Sequence, residues 1–242
     1  MMKKIILAAL LCVPLLAHAS EEEVKLDSAQ VNVEDKLSLQ RGARVFVNYC
    51  VGCHSGSYMR YSRLEDLGLT EKQIVDNLMV TGEKPVETMT AALRRDDAKA
   101  WFGVAPPDLT LVARSRGADW LYTYLRTFYR DPSRPTGWNN TIFPNVAMPH
   151  ALWALQGQQV LKEDGGKSHE GQAEKVLVLD KPGKLSPVEY DALVKDLVNY
   201  MVYMGEPAQT KRKETGIFVL FFLAGLTVLA YYLKKEFWKD IH

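Results

Sequence analysis

The five residues Cys50-Val51-Gly52-Cys53-His54 restrict this chain more than any other feature in it. Two thiols separated by two residues and followed directly by a histidine form the attachment signature of a c-type haem. The thiols add across the two vinyl groups on one edge of the ring, and the adjacent histidine supplies one axial ligand to the iron. A chain built this way folds around a flat apolar group held by covalent bonds. A redox dithiol of the thioredoxin kind would belong to a βαβ pattern, whereas here a helical pattern leads into the motif.

The cysteine count depends on export. Lys3 and Lys4 precede the short apolar run Ile5 to Leu16, and Ala17-His18-Ala19 has the form of a cleavage site, so residues 1–19 read as a secretory signal. Of three cysteines, Cys12 lies in that segment, which leaves Cys50 and Cys53 for the mature chain, both within the haem motif. No structural disulfide is then expected. The haem itself becomes the covalent staple, in a compartment outside the cytoplasm, most simply a bacterial periplasm.

A second membrane signal lies at the other end. Thr215 to Leu233 is a run of nineteen uncharged residues. At 1.5 Å per residue it spans about 28 Å, close to the hydrocarbon thickness of a bilayer. Lys211, Arg212 and Lys213 precede the run, Lys234 and Lys235 follow it, and Tyr231, Tyr232 and Trp238 supply interfacial aromatics. Residues 211–242 therefore read as an anchor with a short cytoplasmic tail, and residues 20–210 as the exported head. The charge balance sharpens on this division. The whole chain is at +1, but the signal segment holds two lysines and the anchor six basic and three acidic residues, which leaves the head with 22 basic and 26 acidic, a net −4. A mildly acidic head favours a basic partner through electrostatic steering. Nucleic acid is not an expected partner.

Within the head, residues 20–35 read as an extended or partly strand-like arm. Leu39, Ala43, Phe46 and Val47 then share one helical face, and that helix runs into Cys50. Near the far end, Ser186-Pro187-Val188-Glu189 carries an N-cap, a proline at the first helical position and a capping box. Leu193, Leu197, Tyr200, Met201 and Met204 follow as an apolar stripe, stopped by Gly205-Glu206-Pro207. This pair resembles the crossed terminal helices of class I c-type cytochromes, with Gly42 and Phe46 opposite Leu197 and Tyr200. Between them the pattern predicts a helix over 118–129 and short helical pieces over 71–80 and 88–99. Val160-Leu161 and Val176 to Leu179 read as two short strands joined by a mobile hydrophilic loop over 162–175, to which no role is assigned. The expected fold is mainly α: a class I cytochrome head with insertions, a short β-hairpin among them, and one C-terminal transmembrane helix.

A haem that only carries electrons takes a second axial ligand, and methionine raises its potential. Eight methionines compete. Met1 and Met2 belong to the signal, and Met59 lies five residues past His54. Met79 and Met89 sit in helical patterns as core filler, and Met201 and Met204 belong to the stripe. Met148 lies in the loop Phe143-Pro144-Asn145-Val146-Ala147-Met148-Pro149-His150, stiffened by prolines and preceding the final helix. It is the expected sixth ligand, with His150, His169 and His242 as alternatives.

The order of Cys50 to His54, Ala105-Pro106-Pro107-Asp108-Leu109-Thr110, Arg114-Ser115-Arg116-Gly117 and Ala147-Met148-Pro149, followed by one C-terminal span, resembles the cytochrome c1 family, the haem subunits of cytochrome bc1 complexes. The resemblance covers roughly residues 30–240. It implies one covalently bound haem c, with His54 and Met148 on the iron, Pro107 packed on the ring and Arg116 at a propionate. The family's aromatic beside the propionates falls on Trp120, where mitochondrial members have a tyrosine; an indole does not donate from the place of a phenol. The resemblance also implies an electron path from a Rieske iron–sulfur protein to a cytochrome c, cytochrome b as a fellow subunit, a dimeric complex, and a single-pass location in the bacterial inner membrane. Such a subunit is no enzyme on its own, and no acid–base or nucleophilic set stands out in the sequence. Two other readings stay open. One is a tethered cytochrome c of another respiratory chain; the other is a haem enzyme or sensor with an open iron site.

Overall fold

The computed structural model describes residues 25–167 and 173–240. The signal segment and His169 lie outside the described residues, as does His242. About half of the chain is helical, with a few short strands, as expected for this mainly α fold.

Residues 25–34 form an extended arm with no strand pairing among the described residues, so the strand-like part of the expectation does not hold. The arm is held by side chains instead. Thr123 Oγ1 accepts from the amide of Asp27 at 2.8 Å, Asp119 from that of Ala29 at 2.7 Å, and Asn199 donates to the Asn32 carbonyl at 2.7 Å. Helix α1 (Lys36–Tyr49) follows, capped by Asp35, whose carboxylate accepts from the Ser38 amide at 3.0 Å. Its buried face includes Leu39, Gly42, Ala43, Phe46 and Val47.

That face packs on the long helix near the end of the head, Pro187–Gly205, which carries the predicted capping box. The crossing is close at Gly42. A Cβ placed there would lie 2.1 Å from the Asp196 carbonyl oxygen and 2.7 Å from Tyr200 Cβ. Glycine's cost in helix propensity is thus offset by contact that no other residue permits. Phe46 and Tyr200 meet beside it with ring centroids 5.6 Å apart, and both are fully buried. At the rim, Arg41 forms a forked pair with Asp196, at 2.5 and 3.0 Å.

Between the two helices the chain makes short elements. Strand β1 (Gly56–Arg60) pairs antiparallel with β2 (Thr88–Met89), with a 3-10 turn over Tyr61–Leu67 and helix α2 (Glu71–Asn77) in the intervening loop. Helix α3 is Arg95–Phe102, α4 is Val112–Arg116 and α5 is Ala118–Arg126. Two helical expectations are corrected here. The segment 88–99 starts as strand and becomes helical only at Arg95. The helix from Ala118 ends at Arg126, where the Thr127 hydroxyl turns back onto the Thr123 carbonyl at 2.9 Å. β3 (Phe128–Arg130) follows and pairs with β4 (Trp138–Asn140). After a single turn, α6 (Trp153–Gln156), the hairpin of β5 (Gly157–Lys167) and β6 (Ala173–Pro182) extends well past the two short strands expected. Much of the stretch read as a hydrophilic loop is therefore ladder. The hairpin's base is fixed to the head by Gln159, which donates to the carbonyls of Arg126 and Phe128 at 2.8 and 3.0 Å.

The helix Pro187–Gly205 is α7. After three intervening residues α8 (Gln209–Phe237) begins, 29 residues long, apolar through its centre and with no buried residue among those described. At the joint, Glu206 is held by Arg114 at 3.1 Å and by Arg212.

Gly42→Ala forces a carbon into the crossing and is expected to lower stability by about 1–3 kcal/mol. Thermal unfolding of the detergent-solubilised, haem-loaded protein measures it, and an unchanged midpoint would show that the helices cross elsewhere.

Candidate functional site

Helix α1 delivers the haem motif directly. The Cys50 amide donates to Phe46 O at 2.8 Å, Cys53 to Cys50 O at 3.0 Å and His54 to Cys50 O at 2.8 Å, so the motif winds on as a further helical turn. The two thiols and the imidazole thereby come off one short stretch of fixed backbone. Three contacts hold this turn against the chain that follows. Leu93 donates to Gly52 O at 3.0 Å, Leu109 to Ser55 O at 2.8 Å, and Ala91 to Ser55 Oγ at 2.8 Å.

His54 Nδ1 lies 2.8 Å from the Pro107 carbonyl oxygen. A carbonyl only accepts, so Nδ1 carries the proton and the Nε2 lone pair is left free for a metal. Burial holds the imidazole below its ordinary range, against the hydrogen bond to Pro107 and the charge of Asp108, which act the other way. The ring is thus kept neutral, as a ligand must be.

Asp108 explains why the Pro-Pro-Asp segment stays in place. Its carboxylate accepts from the Ser57 amide at 2.8 Å and from the Thr110 amide and hydroxyl at 2.8 and 2.5 Å. Partial burial alone would raise this carboxyl, but the bonds from Thr110 and Ser57 outweigh it and hold the group below the usual carboxylate range. The loop carrying the Pro107 carbonyl is thereby clamped to the strand that follows His54.

These residues open onto a cavity of about 470 Å³, within the range of about 300–1,000 Å³ common for ligand pockets. Cys50, Cys53, His54 and Pro107 line it, and so do Arg116, Trp120 and Met148. Every site residue expected from the sequence therefore meets in one place. Apolar side chains make up most of the remaining wall, among them Leu109, Leu121, Val146 and Leu197. Cys50 is half-buried, and desolvation pushes its thiol up to about 12. The Arg116 guanidinium lies 5.2 Å over the Trp120 ring, which stacks on Tyr124 at 4.9 Å. Trp120 thus serves as an aromatic platform for a cation rather than as a hydroxyl donor. Two thiols, an imidazole with one nitrogen already engaged, and a thioether converge on an apolar cavity; this donor set fits a haem c.

Of the alternative ligands, His150 is buried away from the cavity wall. It stacks on Phe128 at 4.8 Å, meets Trp138 edge-on at 5.1 Å and bonds Gln156 at 2.7 Å. Burial depresses it to about 4, as for a neutral core histidine. Met59, Met89 and Met204 are core residues. Met201 was read as part of the helix stripe and is buried, yet it also lines the cavity. Sequence periodicity does not separate those two roles, because one face of α7 forms both core and cavity wall. Also beyond the reach of the sequence was the Tyr124 hydroxyl, 3.4 Å from Met148 Sδ. Burial drives that phenol well above its ordinary range, so it stays protonated and donates.

Fold and site together define the class of c-type cytochromes. Comparison with known proteins goes further. The model of the cytochrome C1 family matches residues 28–178 and 185–241. A cytochrome c1 of Allochromatium vinosum is 50% identical over the full length of both chains. A Nitrosomonas europaea protein named as an ammonia monooxygenase gamma subunit is 54% identical across this whole chain and 99% of its own. A mitochondrial cytochrome c1 of Arabidopsis thaliana is 27% identical over 92% of this chain and 76% of its own. The chain belongs to the cytochrome c1 family, and that membership implies haem c and a place in respiratory electron transport.

Asp108→Asn removes a charged acceptor from two backbone amides and is expected to cost about 1–2 kcal/mol at neutral pH. Because the folded carboxyl lies below its unfolded value of about 3.9, its contribution is complete above that value and fades as pH falls through the folded one. The variant should therefore show a flatter acid limb than the native protein in denaturation followed from pH 7 to pH 2, and parallel limbs would contradict the clamp.

Proposed function

We propose that this protein is a membrane-anchored, mono-haem cytochrome that passes electrons from a Rieske iron–sulfur protein to a cytochrome c, as the cytochrome c1 subunit of a quinol–cytochrome-c oxidoreductase. The observation that carries the proposal is the meeting of Cys50, Cys53, His54 and Met148 on one apolar cavity, in a chain 50% identical end to end to a cytochrome c1. A bound haem c supplies one-electron exchange at its iron.

The side chains divide the rest of the work. Cys50 and Cys53 hold the ring covalently. His54 presents Nε2 as one ligand, with its tautomer set by Pro107. Met148 would present its thioether as the other and so close the iron to outside ligands. The apolar wall excludes water, and Arg116, steadied by Trp120, offers a cation to a propionate. No side chain here is asked to move a proton or attack a substrate, so the subunit is not an enzyme alone.

The remaining expectations fit this reading. Cleavage after Ala19 would leave a head from residue 20 to 210 in the periplasm, α8 as a single span in the bacterial inner membrane and the C-terminus in the cytoplasm. Cytochrome b would be a fellow subunit in a dimeric complex. The Nitrosomonas relative is named for a different assembly, and an anchored haem relay would serve either one. The subunits retained in a mild detergent extract separate them. Cytochrome b with a Rieske protein supports the proposal, and ammonia monooxygenase subunits without them would replace it.

Two measurements test the site. The native reduced protein should not bind carbon monoxide; ready binding would favour an open-site haem enzyme or sensor. Met148→Leu should keep its covalent haem while its potential falls by on the order of 0.1 V or more, within the roughly 0.8 V over which axial ligands act. An unchanged potential would move the ligand role elsewhere, Met201 being the next thioether on the wall.

A further inference from the structure

Met148 belongs to no helix or strand, so something else must fix its position. The segment from Asn140 to Val146 turns almost without backbone bonding to itself. The Thr141 amide donates to the Thr127 carbonyl at 3.3 Å, and four others go to two asparagine side chains. Asn139 Oδ1 accepts from Asn140 N at 2.9 Å and Asn145 N at 2.8 Å. Asn140 Oδ1 accepts from Ile142 N and Phe143 N, both at 3.1 Å. Four successive or near-successive backbone donors are thus bound by two buried carboxamides, which are 7% and 1% exposed.

The opposite ends of those carboxamides tie the turn to the head. Asn139 Nδ2 donates to Asp131 at 2.8 Å, and Asn140 Nδ2 donates to the Tyr124 carbonyl at 2.8 Å. Tyr124 in turn donates its hydroxyl to Met148 Sδ at 3.4 Å. A ring therefore closes from Asn140 through Tyr124 to Met148 and back along the chain. On the outer side, Arg134 grips Asn145 twice, at its side-chain oxygen and its carbonyl, each at 3.0 Å. Asn145 holds a φ of +64°, a left-handed conformation that only asparagine, aspartate and glycine adopt readily.

We infer that Asn139 and Asn140 are positioning residues for the sixth haem ligand, acting as a side-chain scaffold that holds the Met148 loop over the cavity. The inference rests on the proposed role of Met148. The turn itself is largely exposed, and its amides rely on these two buried side chains rather than on a helix or a ladder. Losing either carboxamide takes the acceptor away from two of the turn's amides, and the loop is released before the head, whose main core is a separate cluster.

The test uses the full-length haem-loaded protein in detergent, with three readouts: covalent haem content, carbon monoxide binding by the reduced form, and reduction potential. Met148→Leu is the benchmark and should bind carbon monoxide at a lowered potential. If it does not, the ligand assignment fails, and that failure is distinct from a failure of the scaffold. With the benchmark positive, Asn140→Ala should retain covalent haem, gain carbon monoxide binding and shift in potential toward Met148→Leu. Full haem content with no carbon monoxide binding and a native potential would overturn the inference. If Asn140→Ala does not accumulate, Arg134→Gln decides, because that side chain is only half-buried and grips the loop from outside. Partial carbon monoxide binding by Arg134→Gln supports the scaffold, and native behaviour overturns it.

Discussion

The closeness of one helix crossing sets the geometry of everything else in the head. At Gly42 the backbones of α1 and α7 approach so tightly that a single added carbon would collide with the Asp196 carbonyl. This crossing fixes the direction in which α1 ends, and α1 ends in the haem motif. It also aims the inner face of α7, from which Leu197 and Met201 project into the cavity wall. The contact is made by hydrogen, methylene and ring edges rather than by charge. The forked Arg41–Asp196 pair lies at its rim, with the aspartate largely covered and the arginine half-exposed.

From that frame, the site is assembled by short loops whose backbone needs are met locally. The Pro107 carbonyl sets the proton of His54, and Asp108 holds that carbonyl in place by bonding two amides and a hydroxyl. On the methionine side, two asparagines do the same for the turn before Met148. Both walls follow one rule: a polar side chain stands in for the missing ladder and takes up the loop's backbone amides. Such precision suits a group whose function is electron exchange, since a ligand that does not move keeps the cost of changing charge low.

Much of this could be read from the sequence wherever the chemistry was local. Cys50 to His54, the Ser186 capping box, the Gly42–Phe46 face and the apolar run of α8 each announce themselves within a few residues. Met148 stands out by its proline-stiffened setting, and it lines the same cavity as His54. Long-range competition hid the rest. The segment 88–99 has helical composition, yet Thr88 and Met89 are captured by β1 and Leu93 by Gly52. Beyond Arg126 the helical pattern continues, but β-branched Thr127 and the aromatic pair Phe128-Tyr129 favour a strand once β4 is present to receive them. The hairpin was underestimated because its outer part is polar on both faces, and alternation is the signal a strand is read by. Asn139 and Asn140 left no trace at all, since an asparagine that organises a turn looks like any other turn residue.

In the proposed role, this chain relays electrons from a quinol-driven donor to a cytochrome c through one closed haem site. The most direct measurement follows the c-type haem of this chain by its absorbance in a mild detergent extract that retains cytochrome b and a Rieske protein. Addition of quinol should reduce the haem, and subsequent addition of an oxidised cytochrome c should reoxidise it. A haem that quinol leaves oxidised in such an extract, or that stays reduced in the presence of the acceptor, would contradict the claim.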